Sequence, residues 1–253
     1  MRSHIITSGL AIALAFSGVI APAMGQPIDR TIAQVDKTSE LDRAIVEGNR
    51  LFKEGSAESL RKAIGQFEKA LELARSAQAK DKQALSLLFL GRIYGDLGEK
   101  QKALDYFNQA LPLYRAVGGR WGEAATLNNI GGVYSALGEK QKALDYFNQA
   151  LPLLRAVGDR SGEATTLNNI GLVYDALGEK QKALDYYNQA LPLRRAVGDR
   201  GGEAATLNNI GAVYDALGEK KKALDYYNQA LPLSRAVGDR GGEAATLNNI
   251  GAV

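Results

Sequence analysis

The chain contains no cysteine and a single histidine, His4. Without cysteine there is no disulfide, no Cys-His nucleophile pair and no thiolate metal site. With His4 as the sole imidazole, and that inside an apolar N-terminal segment, Ser-His systems and His-ligated metals are excluded as well. No GxxxxGK[ST] or GxGxxG run is present to cradle a phosphate. An excess of one charge is also missing: 31 Lys and Arg stand against 28 Asp and Glu. Over residues 164–203, Lys180, Lys182, Arg194, Arg195 and Arg200 balance Asp175, Glu179, Asp185, Asp199 and Glu203. A neutral stretch of this kind is a poor footprint for nucleic acid, which needs a basic face. Paired carboxylates are the one catalytic route left, since Asp175 and Asp215 recur 40 residues apart. At that spacing they read as a solvated helix surface. The expectation is no catalytic residue, no metal ligand, no cofactor and no enzymatic activity.

Long apolar runs are lacking after residue 20. Before it, Arg2 and His4 precede a stretch from Ile5 to Ile20, interrupted by Thr7, Ser8, Gly9, Ser17 and Gly18. Ala21-Pro22-Ala23 or Ala23-Met24-Gly25 then supplies small residues suited to cleavage. This is the layout of a secretory signal peptide, and its core is short for a membrane span. Residues 1–25 are therefore expected to be removed, before Met24 or Gln26, and the protein exported to the periplasm or beyond with no membrane association afterwards. An uncleaved N-terminal anchor is the alternative. Residues 26–38 lack clear periodicity and read as a linker, with Ser39 as the N-cap of the first helix.

What the chain has in abundance is itself. The block NNIGxVYxALGEKxKALDYxNQALPLxRAVGxR occupies 128–160, 168–200 and 208–240, and a looser copy occupies 88–120. Residues 164–203 and 204–243 differ only at Thr165/Ala205, Leu172/Ala212, Gln181/Lys221 and Arg194/Ser234. A fixed period of this size marks a stacked array in which each unit buries its apolar face against its neighbours. The units are a degenerate one at 39–83, then 84–123, 124–163, 164–203 and 204–243, with an incomplete one at 244–253.

Each unit reads as two helices. In the third, helix A spans about Gly122 to Leu137, with Leu127, Ile130, Gly131 and Tyr134 on one face. Gly138 ends it as a C′ residue. Helix B follows, with Ala143, Phe147, Ala150, Leu151 and Val157 as its buried stripe. Gly158 ends that helix and Asp159 caps the next. Connections this short make the helices antiparallel neighbours. Pro152, with Pro112, Pro192 and Pro232 at the same phase, falls inside helix B and removes the bond to the carbonyl of Asn148. Either the helix continues through it with a bend, which the recurrence favours, or it ends at Leu151.

The spacing Leu127-Ile130-Gly131-Tyr134-Gly138-Ala143-Phe147-Ala150 resembles the tetratricopeptide repeat. It recurs through Gly91-Tyr94-Ala103-Phe107-Ala110, Gly171-Tyr174-Ala183-Tyr187-Ala190 and Gly211-Tyr214-Ala223-Tyr227-Ala230. The first unit matches through Gly48, Leu51, Ala63, Phe67 and Ala70, with about three extra residues between its helices. The period of 40 rather than 34 lengthens helix B, and the family's late proline has no match at Arg155. The Leu-Asn-Asn start resembles the subtype of kinesin light chains and of bacterial arrays joined to caspase-like CHAT domains. The resemblance implies an all-α, right-handed superhelical solenoid of antiparallel helix pairs whose A helices line a concave groove. It further implies that Asn128, Asn168 and Asn208 face into that groove, with Gly132, Leu172 and Ala212 and with Ser135, Asp175 and Asp215. Amide side chains carry both donors and an acceptor, so such a ladder can grip the main chain of an extended peptide. The bland reading is that asparagines bond between helices. The first of each pair is assigned to the groove, and the second (Asn129, Asn169, Asn209) to structure.

Adjacent aromatics such as Tyr146 and Phe147 cannot share a face, so one is expected in the core and one at the surface. Trp121, whose equivalents are Ser161, Gly201 and Gly241, reads as a local lid on the loop or as a binding contact. The column 114/154/194/234 holds Tyr, Leu, Arg and Ser, a tolerance that suggests exposure. The resulting expectation is an exported scaffold that binds a peptide or protein segment. One rival is the recognition arm of a larger enzyme or signalling protein, for example one with a CHAT domain. Another is a structural spacer. Leu247 and Ile250 cover the last helix B incompletely, which suggests a longer parent protein and self-association through the C-terminal end.

Overall fold

The computed structural model describes residues 28–253, with side chains from Ser39 onward. The signal-peptide segment lies outside the described residues. Eleven helices follow one another, and no strand occurs among the described residues. They are α1 (Ile28–Glu54), α2 (Ala57–Ser76), α3 (Lys80–Asp96), α4 (Lys100–Ala116), α5 (Arg120–Ala136) and α6 (Lys140–Ala156). The array continues through α7 (Arg160–Ala176), α8 (Lys180–Ala196), α9 (Arg200–Ala216), α10 (Lys220–Ala236) and α11 (Arg240–Ala252). Odd-numbered helices are the A helices and even-numbered ones the B helices. The described chain forms two compact units, 28–122 and 123–253.

In the second unit, Ala143, Leu144, Phe147 and Leu151 of α6 pack with Leu167, Ile170 and Val173 of α7. One repeat on, Ala183, Leu184, Tyr187 and Leu191 meet Leu207, Ile210 and Val213 in the same way. The first unit has its own core, with Leu41, Ala44 and Ile45 of α1 against Ala70 and Ala74 of α2. There the rings of Phe67 and Phe89 stack at 4.7 Å.

The punctuation is local. At the end of α5, Gly138 adopts φ +81°, and the Glu139 amide returns to the Tyr134 carbonyl at 2.9 Å. That is the Schellman closure a left-handed residue permits. Asp159, Asp199 and Asp239 cap α7, α9 and α11, each accepting from the amide three residues on at 2.8 to 2.9 Å. The B helices run unbroken through Pro112, Pro152, Pro192 and Pro232. Phe147 and Tyr187 are buried while Tyr146 and Tyr186 are half-buried, as adjacent helical positions require.

Four expectations are corrected. Ser39 is not an N-cap: α1 reaches back to Ile28, so the segment read as a linker is helical from there. No Pro or Gly stands between Ile28 and Ser39 to stop the helix. The Ser39 hydroxyl instead accepts from Arg43 Nη2 one turn on, at 2.9 Å. The extra residues of the first repeat do not widen its turn. They form an additional first turn of α2, begun by Ser56, whose hydroxyl accepts from the Ser59 amide at 3.0 Å. Val157 is 39% exposed rather than part of the buried stripe. It is the C-cap of α6, beyond the last helical residue, and Leu154 fills the core in its place.

The variable column is buried: Tyr114 is 7% exposed, Leu154 3%, Arg194 3% and Ser234 2%. Each side chain occupies the space that a side chain at the third residue of the next A helix would need, and that residue is glycine. A Cβ on Gly162 would lie 2.7 Å from Leu154 Cδ2, and one on Gly202 would lie 2.7 Å from Arg194 Nε. The missing Cβ leaves a socket whose occupant can vary in size and chemistry without leaving the interior.

Candidate functional site

In residues 123–253 the A helices touch one another, α7 against α9 and α9 against α11, so they form a continuous layer. On this layer the structure brings together the residues singled out from the sequence. Asn168, Leu172 and Asp175 lie along α7, and Asn208, Ala212 and Asp215 lie along α9. Asn128 and Ser135 occupy the same positions on α5. Leu172 is 39% exposed and Ala212 is exposed, whereas the asparagines, Ser135 and both aspartates are half-buried.

The asparagines connect repeats. Oδ1 of Asn128 lies 3.0 Å from the Thr166 hydroxyl of α7. Oδ1 of Asn168 accepts from Asn209 Nδ2 at 3.2 Å and lies 3.3 Å from the Thr206 hydroxyl. Asn208 accepts from Asn249 Nδ2 at 3.2 Å. Asn129 turns back onto its own helix, donating to the Ala125 carbonyl at 2.7 Å. The first asparagine of each pair is therefore part of the joint between successive A helices, with the remainder of its amide at the edge of the exposed column. The acidic positions are also partnered: Asp175 and Asp215 accept from Lys180 and Lys220, each at 2.6 Å. Ser135 carries no charge, so α5 lacks this pair.

A second recurrent feature escaped the sequence reading. Tyr174 and Tyr186 stack at 5.4 Å, with Lys182 Nζ 5.2 Å above the Tyr174 ring and ion-paired to Glu179. Tyr134, Tyr146 and Lys142 repeat the arrangement, as do Tyr214, Tyr226 and Lys222. The signal was available as two tyrosines twelve apart with a lysine between them in four repeats. Donating to the Glu179 carboxylate raises the Lys182 pKa, and burial followed by the neighbouring Tyr174 raises that of Tyr186. Deeper in the core, burial pushes the Tyr227 phenol up to about 12 and raises that of Tyr187 further. In residues 28–122 the equivalent Tyr94, Tyr106 and Lys102 line an open cleft of about 520 Å³ with Glu68, Arg75 and Asp105. Its mixed charges select no ligand class.

Trp121 is half-buried in the first turn of α5. Leu247 of α11 is 44% exposed, while Leu207 at the same position of α9 is 1% exposed. Among the described residues no group of three or more His, Asp or Glu side chains could hold a metal. No helix among them is long and apolar enough to cross a membrane.

The family model for the tetratricopeptide repeat matches residues 56–116, 122–196 and 193–236. A comparison with curated proteins gave no match. Among solved structures, aspartyl phosphate phosphatase F from Bacillus subtilis is similar at TM-score 0.72 and 19% identity, over 87% of this chain and 57% of that one. A Rap protein complexed with competence and sporulation factor is similar at TM-score 0.68 and 19% identity, over 78% of this chain and 54% of that one. The nearly identical repeats of a putative kinesin light chain from Podosopora anserina are similar at TM-score 0.59 and 16% identity, over 82% of this chain and 98% of that one. At these identities the likeness is one of fold. The chain spans little more than half of the phosphatase and of the Rap protein.

Proposed function

The chain belongs to the tetratricopeptide repeat family, and from that premise we propose that its A-helix layer holds an extended peptide or protein segment. Family membership supports a protein–protein interaction scaffold. The finer reading rests on one observation: Leu172 and Ala212 stand exposed, side by side on packed helices, at a column bordered by half-buried amides. An exposed apolar or small column beside hydrogen-bonding amides suits a main chain with an occasional apolar side chain. The Rap protein of similar fold was solved with competence and sporulation factor, which is in keeping with this reading. A scaffold of this kind also serves as the recognition arm of a larger enzyme or signalling protein. That second reading draws on the chain matching only 57% and 54% of two neighbours.

The test is a phage-displayed peptide library panned on the full chain, with binders re-measured on the double variant L172R/A212R. Both sites are exposed, so the melting temperature should stay within about 2 °C of wild type. Affinity should fall about tenfold or more, as it does when the centre of an interface is blocked. Binders that hold equally well to the double variant would place recognition away from this layer.

Export completes the proposal, supported by the Arg2 to Gly25 layout. Expressed in a Gram-negative host, the protein should be recovered outside the cytoplasm with an intact mass lacking residues 1–23 or 1–25. Full-length chain confined to the cytosol would refute it.

A further inference from the structure

Two repeats that agree at all but four positions should be equally stable. Yet two of those four differences touch each other. Arg194 Nη2 donates to the Thr165 hydroxyl at 2.9 Å, across 29 residues of sequence. The next repeat has Ser234 and Ala205 at these positions, and the preceding one has Leu154 and Ala125. At this position of the A helix, a hydroxyl thus stands only in the repeat whose socket holds a guanidinium.

The guanidinium is 3% exposed, so its hydration has been given up. Nη1 is ion-paired with Asp199, the cap of α9, and Nη2 has Thr165. Thr165 meets the guanidinium as an acceptor, because its own proton goes to the Ser161 carbonyl at 3.0 Å. Nε, lodged over Gly202, has no acceptor. A buried cation with one unmatched N–H is less favourable than an apolar side chain of similar volume, which is what Leu154 supplies one repeat earlier. The first unit shows the same weakness independently: the Tyr114 hydroxyl, in the same column, is the other buried side-chain polar atom without a partner among the described residues.

We propose that Arg194 makes the end of α8 and the start of α9 the point at which this unit opens, with Thr165 limiting how readily it does so. In a linear array each repeat contacts only its neighbours, so a deficit in one socket is not averaged over the molecule. It appears instead as a local opening equilibrium. The array is then jointed, with firm sockets at Leu154 and Ser234 on either side of a weak one.

Hydrogen exchange read by mass spectrometry on the full chain tests this. Residues 187–203 should exchange about tenfold faster than the equivalent 147–163 in the same molecule, as loss of one buried hydrogen-bond partner implies. R194L should remove the difference, and R194S, which copies repeat five, should reduce it. T165A should widen the gap in the wild-type background and do nothing in the R194L background. Fraying from the C-terminus gives a different pattern, because it would leave 187–203 equally fast in R194L. That outcome, or equal exchange of the two segments in wild type, would overturn the proposal. So would loss of cooperative melting in both R194L and R194S.

Discussion

Alanine at Gly131 should destabilise the protein by about 2 kcal/mol, while alanine at the adjacent Gly132 should stabilise it by about 0.5–1 kcal/mol. Both residues lie in the interior of α5, so both substitutions recover the same helix propensity, roughly 1 kcal/mol. What differs is the space ahead of the new methyl. A Cβ on Gly131 would lie 2.7 Å from two ring carbons of Phe147 and 3.1 Å from a third. Phe147 is 1% exposed and enclosed by α6 and α7, so the ring cannot swing aside. Overpacking at the upper end of its usual range, about 3 kcal/mol, then outweighs the propensity gain. A Cβ on Gly132 meets nothing within 4 Å, and its equivalents are Leu172 and Ala212. Urea unfolding of the two single variants decides the matter, read from midpoints at unchanged slope. Equal midpoints would mean that the Gly131–Phe147 approach is not close enough to govern stability.

Removing the amides of Asn128, Asn168 and Asn208 together should cost about 3 kcal/mol, roughly 1 kcal/mol for each joint they bridge. The ladder of acceptors runs from each A helix to the next, so the triple alanine variant loosens three successive joints. The corresponding change at Asn129, Asn169 and Asn209 should cost less. Asn129 bonds within its own helix, while Asn209 shares the Asn168 bond already counted. From sequence alone only the second triple was expected to destabilise, with the first leaving the melting temperature little altered. Thermal melts of both triples separate the two. A first triple that melts with the wild type would mean that these amides are spare and free for a ligand.

The asparagines show how far pattern reading reaches. The resemblance put them on the A helices, and Leu172, Ala212, Ser135, Asp175 and Asp215 lie on the A helices too. Which amide oxygen is engaged depends on Thr166 and Thr206 of the following repeat, 38 residues away, and no local spacing carries that. The paired tyrosines were legible in principle, being twelve residues apart in four repeats, but their significance needed the two helices folded together.

By itself the sequence determined the period, the helix pairs and most of the buried stripe. These depend on signals within a turn or two of the chain: glycines at helix ends, aspartate caps, apolar residues at helical spacing. Only the tertiary structure decided what variation means. Tyr114, Leu154, Arg194 and Ser234 look like a surface column because surface positions are where chemistry is usually free to change. They are interior because the following A helix presents glycine, and a missing Cβ is felt in the volume it leaves to a neighbour. Whether such a volume is sealed or open is settled by the packing of the next repeat, which side-chain chemistry at the position itself does not encode.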